Sequence, residues 1–282
     1  MMLKLLRASA FVLAAASGVA GALAEEEAGL SETRIDWEVP GHPGVTYETL
    51  VKQVLPDLKP GAEGRWTTEG ATLRKTEGEA EPSGPGELGT VDVYDFRSGG
   101  RDLTLMVIGD FAGQGYLHIV AVFDPAANGV PKLIDAVNVG IDRLTLTRPF
   151  QFLTGDETAL VFDSSYPALE RVDTATQVVM LLEGKLKHVL LERTNQLMGC
   201  GVHVDQIPEL SPEPDPGAAY PAISYRVVQE VRLIDEECDA PSVSAKAKSE
   251  TFTDVFHWDA AAATYVAATD NRAGRPPGIL PS

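Results

Sequence analysis

Cys200, His203 and Asp205 bring a thiol, an imidazole and a carboxylate close together in the chain. Such a trio could support nucleophilic catalysis if the thiol were free. Cys238 is the one other cysteine, and in an oxidising compartment a Cys200–Cys238 disulfide is the expected pairing. That bond would remove the nucleophile. In the chain-entropy picture it would contribute on the order of 3 to 4 kcal/mol, less any native strain. Asp163-Ser164-Ser165-Tyr166 sets hydroxyls beside a carboxylate, but Asp and Ser at the end of an apolar run favour a turn. A turn is expected there. The five histidines, His42, His118, His188, His203 and His257, are scattered instead of spaced for a metal. His118 and His188 lie in strand-like runs, where a hydrogen-bonded structural role is expected. The chain has no GxSxG elbow, HExxH, GxxxxGK loop or CxxC pair. No catalytic residue and no cofactor is assigned.

The elements that would position these groups are clearest from Arg101 to Asp124 (RDLTLMVIGDFAGQGYLHIVAVFD). Leu103, Leu105 and Val107 alternate with Thr104, Met106 and Ile108, and both sets are largely apolar, which predicts an interior strand. Leu117 to Phe123 supplies a partner that ends at Asp124-Pro125, a turn pair. Gly109, Gly113 and Gly115 free the backbone between them, and a looped hairpin is expected.

This loop, GDFAGQGYLHIVAVF, resembles the FG-GAP or VCBS-type repeat, in which GDxNGDGxxD joins two strands of a propeller blade. The resemblance implies a β-blade and, in many members, calcium in the loop. Carried over by position, Asp110 matches the first ligand and Gln114 supplies an amide, whereas Ala112 and His118 stand where the pattern holds polar or acidic residues. Calcium takes six to eight oxygens, several of them carboxylate. One carboxylate and one amide fall short, so no metal is expected. The likeness covers one loop and does not recur at a fixed period, as a full propeller would require.

At the start, Lys4 and Arg7 precede the apolar stretch Ala8 to Ala20, and Ala22-Leu23-Ala24 places small residues before Glu25. This predicts a secretory signal peptide over 1–24, cleaved after Ala24, and a periplasmic or secreted product. The stretch is short for a membrane span and no stop-transfer pattern follows it. The formal net charge is -18. That excess of carboxylates argues against nucleic acid and against an anionic membrane surface as partners.

The rest divides into a helix-containing segment (25–75), a flexible loop (76–90), a β-rich domain (91–269) and a mobile tail (270–282). Thr46 can cap a helix whose Leu50, Val51, Val54, Leu55 and Leu58 share one side, with Pro56 ending or kinking it. Val91 to Phe96, Leu103 to Ile108, Leu117 to Phe123, Lys132 to Asn138, Arg143 to Thr147, Thr158 to Phe162, Thr176 to Leu182 and Lys185 to Leu191 read as strands, with Glu183-Gly184 as a hairpin turn. Pro208 to Pro221 reads as a Pro-rich loop and Ile223 to Ile234 as a long strand. The final hairpin runs Thr251 to Trp258, then Thr264 to Ala267, with Trp258 facing Tyr265. Its Phe256-His257-Trp258-Asp259 and Thr264-Tyr265-Val266 resemble the closing hairpin of uncharacterised exported bacterial proteins, a likeness that implies no activity. The expected fold is mostly β, with antiparallel sheets arranged as a meander, a sandwich or an incomplete propeller-like assembly, and one N-terminal helix.

The expected function is that of an exported, non-catalytic β-rich binding or interaction protein. Its loops Gly109 to Gly115 and Pro208 to Pro221 would face an extracytoplasmic protein or cell-envelope component. Two alternatives stand beside it. One is an exported hydrolase whose carboxylate pair is not recognisable in sequence; the other is an inhibitor of an extracellular enzyme.

Overall fold

The computed structural model describes residues 34–70, 72–75, 80–82, 84–111, 117–125, 129–141, 143–147, 151–153, 157–168, 171–199, 202–233 and 247–268. The one α-helix among them, α1, spans Tyr47–Val54. It starts where the Thr46 side chain accepts a hydrogen bond from the Thr49 N–H at 3.2 Å. An i,i+4 pair between Glu48 and Lys52 at 2.6 Å supports its outer face. Leu55 leaves the helical region ahead of Pro56, as the residue before a proline is pushed to do.

The strands follow as β1 (Lys59–Pro60), β2 (Trp66–Thr68), β3 (Thr72–Lys75), β4 (Ala80–Pro82), β5 (Gly86–Glu87), β6 (Thr90–Ser98), β7 (Arg101–Phe111), β8 (Leu117–Asp124) and β9 (Lys132–Ile141). The second half adds β10 (Arg143–Leu146), β11 (Gln151–Phe152), β12 (Thr158–Ala168), β13 (Arg171–Leu182), β14 (Lys185–Gly199), β15 (Val202–Glu213), β16 (Ala222–Leu233), β17 (Lys248–Asp259) and β18 (Thr264–Ala267). A first sheet runs β4-β3-β9-β8-β7-β6, and a second runs β10-β12-β13-β14-β15-β16-β17-β18 with β11 beside β12. A small third sheet, β1-β2-β5, lies next to the helix segment in sequence. Pairing is antiparallel throughout the described strands except between β3 and β9, where Arg74 lies opposite Val137 in parallel.

Three apolar layers hold these parts together. Leu50, Val51 and Leu55 of the helix segment pack on Met106, Ile108, Ile119, Ala121 and Phe123, one face of β7 and β8. Burying each such side chain stabilises the fold by roughly 1.5 to 3 kcal/mol. Gln53 adds a polar tie: its amide N–H donates to Pro131 O at 2.8 Å, and its Oε1 accepts from Leu133 N at 2.9 Å, next to the start of β9. The opposite face of the first sheet, with Leu105, Val120, Val122 and Val137, packs on Leu160, Phe162, Val179, Leu181 and Leu186 of the second, as in a sandwich. A third cluster joins Val161, Val178, Met180 and Leu190 to Ile223, Tyr225, Phe256 and Tyr265, so the second sheet bends over itself. There the Thr264 hydroxyl of β18 donates to Val189 O of β14 at 2.8 Å.

The helix segment and the strands after 91 share one core and one sheet, because β3 extends the first sheet beside β9. Two expectations need correction. The stretch 76–90 is not a plain loop: β4 and β5 lie within it and Leu88 is buried. The stretch read as a Pro-rich loop from Pro208 begins inside β15, which runs to Glu213. Pro208 and Pro212 are four positions apart, so both ring nitrogens point to one edge. The pairing of β14 with β15 is confined to Leu197–Gly199, which leaves that edge open where the prolines lie. A proline there costs the β15–β16 ladder nothing.

Candidate functional site

The connection from β15 to β16 is built on a turn at Asp215-Pro216-Gly217-Ala218. Ala218 N–H donates to Asp215 O at 3.1 Å and Gly217 has φ 91°. Pro216 presets the first central residue and Gly217 takes the positive φ that the second requires. The turn delivers Tyr220 against the closing hairpin. The Tyr220 and Trp258 rings meet edge to face at 4.8 Å and 86°, and Trp258 meets Tyr265 at 5.3 Å and 71°. Trp258 and Tyr265 are direct cross-strand partners, as their spacing in the sequence predicts. The Tyr265 hydroxyl donates to Pro221 O at 3.0 Å. On the solvent side, His257 Nδ1 and Asp215 Oδ2 lie 2.8 Å apart and tie the hairpin to the loop.

Both phenols are held in the protonated form. Burial pushes Tyr265 well above its ordinary value, and the neighbouring Tyr220 and Asp215 add to the effect. Burial also raises Tyr220, with Glu157 as the second cause. Glu157 is itself committed: it accepts from Ser98 Oγ and from Gly99 N, each at 2.8 Å. Those bonds fasten the β6–β7 turn, where Gly99 and Gly100 have φ 58° and 71°. The result is an ordered aromatic end on the second sheet, with phenol donors and an exposed imidazole–carboxylate pair beside it.

The residues singled out in the sequence lie elsewhere. His203 Nε2 stands 3.2 Å from Asp205 Oδ1, so those two do meet. The other Asp205 oxygen accepts from Arg232, which lies opposite His203 in the β15–β16 pairing. Cys200 and Cys238 lie outside the described residues. The nearest described register places Val202 opposite Leu233. Asp163 to Tyr166 is not a turn but the interior of β12. The Asp163 carboxylate accepts the Thr176 hydroxyl at 2.6 Å and the Thr147 hydroxyl at 3.2 Å, a tie across neighbouring strands. Ser164 Oγ donates to Ala175 O, and Gln177 Nε2 reaches both Ser164 Oγ and Val139 O, the latter at 2.9 Å, linking the two sheets. Asp110 falls in β7, at the irregularity between Ile108 and Phe111, and Gln114 lies outside the described residues. Among the described residues no three His, Cys, Asp or Glu side chains gather to hold a metal.

Sequence reasoning missed the link from Asp215 and Tyr220 to the hairpin. Its signal was the Asp-Pro-Gly turn, which rigidifies the stretch read as a Pro-rich loop. Comparison with protein-family models, with curated proteins and with solved structures finds no match.

Proposed function

We propose that this is an exported, non-catalytic binding protein whose partner-facing surface is the aromatic end of the second sheet. The observation that carries the reading is the ordered Asp215–Tyr220 connection locked onto Trp258 and His257. A recognition surface gains affinity when its loops are fixed before binding, because less ordering entropy is lost on association. Tyrosine and tryptophan suit such a surface, since each offers a large apolar body with a polar tip. The partner in this reading is an extracytoplasmic protein or a cell-envelope component.

The test immobilises the purified protein, passes exported proteins and cell-wall fragments over it, and compares retention with that of Tyr220→Ala and Asp215→Ala. Selective retention that drops at least tenfold in both variants supports the reading. Retention no greater than on a blank matrix, or unchanged by both substitutions, overturns it.

A further inference from the structure

The second sheet leaves an open edge along β17. Its partner on that side, β18, pairs only with Phe256–Asp259, and the ladder extends one residue further, where Ala268 N donates to Val255 O at 2.9 Å. That bond fixes which way the strand points. A strand residue turns its N–H and C=O to the same side and its neighbours turn theirs to the other. Val255 faces outward, so Thr253, Thr251 and Ser249 do too, while the residues between them face β16. Among the described residues no strand pairs with these three. Two other edges carry features that discourage pairing. Pro208 and Pro212 interrupt the open edge of β15, and the segment before α1 approaches β6, the edge of the first sheet, where His42 Nε2 meets Asp95 at 3.1 Å. From Lys248 to Val255, β17 contains no proline.

We infer that β17 is a self-association edge: two copies of this chain pair antiparallel through Lys248–Asp254, about a two-fold axis at Thr251. Three features favour this occupant and this register. Centring on Thr251 sets Ser249 opposite the second copy's Thr253, so every outward N–H and C=O of the three residues finds a partner. The same register places Lys248, which already contacts Glu250 of its own strand at 2.9 Å, opposite the second copy's Asp254, twice by symmetry, and opposite charges directly across a strand pair attract. It also continues a row of side chains. Ile207, Val228 and Thr251 are successive cross-strand partners on one face, and Ile207 is 47% exposed. The axis would join two such rows into one stripe. An interface in which the same surface meets itself is the closed, isologous arrangement most homodimers use.

The test is sedimentation equilibrium of the purified protein across micromolar concentrations, beside Thr251→Pro, Lys248→Asp, Asp254→Lys and the double swap. Thr251 N–H points away from β16, so proline there removes only the outward bond, and thermal melting followed by circular dichroism reports whether the fold is kept. The expected result is a dimer weakened at least about tenfold by Thr251→Pro, weakened by each single charge change and recovered in the double swap. A monomeric wild type overturns the inference, and so does a dimer that Thr251→Pro leaves intact while its melting temperature is unchanged. If Thr251→Pro unfolds the chain, the charge swap decides: dimerisation indifferent to all three charge variants also overturns it.

Discussion

Arg74 and Asp135 grip the backbone of Leu186 from both sides, and breaking that grip should loosen the attachment of the two sheets. The Asp135 carboxylate accepts from Arg74 Nη2 at 2.5 Å and from Leu186 N at 2.7 Å, while Arg74 also donates to Leu186 O at 2.9 Å. Side-chain exposure is 29% for Arg74 and 17% for Asp135, so water competes only in part. Leu186 sits in the apolar layer between the sheets. Arg74→Ala would leave a largely covered carboxylate without its cation and Leu186 O without that donor. Hydrogen bonds to charged groups contribute about 1.5 to 3 kcal/mol; with partial exposure as a discount, a loss of about 2 kcal/mol is expected. Asp135→Asn keeps an acceptor for Leu186 N and should cost about 1 to 2 kcal/mol by the same scale. In a chain of this size each kcal/mol lowers Tm by about 2 to 4 °C. Urea denaturation of the wild type, both single variants and the double variant closes a thermodynamic cycle. A coupling of about 1 kcal/mol or more is expected for partners in one network. Single-variant losses below about 0.5 kcal/mol or no coupling would refute the reasoning.

Two further outcomes are expected. The β13–β14 hairpin turns at Glu183 and Gly184, with φ 53° and 74°, so both central residues take the left-handed conformation. Glu183→Asn creates the Asn-Gly pair this turn prefers, and it should stabilise the protein by about 0.5 to 1 kcal/mol in urea denaturation; the Glu183–Lys187 contact it removes is exposed and long at 3.7 Å. Tyr265 has its folded value raised above the ordinary 10.0. Its contribution is therefore complete below pH 10 and is lost as pH rises from there toward the folded value, because the unfolded chain ionises first. Tyr265→Phe should be less stable at neutral pH, through loss of the bond to Pro221 O, yet show a shallower decline in Tm above pH 10.

Much of this architecture is legible where local signals and packing agree. Thr46, Glu48 and Pro56 bracket the helix, the double apolar alternation of Leu103 to Ile108 marks a central strand, and Glu183-Gly184 marks a turn. The errors come from residues whose local preference yields to their place in a sheet. Pro208 and Pro212 signal a loop, but an outward-facing edge tolerates them. Asp163 and Ser164 signal a turn, but the Thr147 and Thr176 hydroxyls and Ala175 O satisfy them within a strand. The strands described between Thr72 and Glu87, β3, β4 and β5, are short, with too few residues for an alternation to register. The parallel meeting of β3 with β9 leaves no trace in either segment, since it depends on strands remote in the chain. For the candidate site, the Trp258–Tyr265 pair can be read from hairpin register alone. The approach of Tyr220 and Asp215 cannot, because nothing in the loop specifies which surface it will meet.

That remote meeting bears on the order in which the chain folds. Nearly every pairing in the second sheet joins neighbouring strands, and such hairpins close over short loops. The Arg74–Asp135 contact spans 61 residues and Arg74–Leu186 spans 112. Contacts of that separation bear the larger loop-closure entropy and tend to form after the local ones. The clamp is then expected to close late, on hairpins already assembled. Interactions absent from the transition state act on the rate of unfolding. Clamp variants should accordingly shorten the lifetime of the folded chain while leaving its refolding rate nearly unchanged.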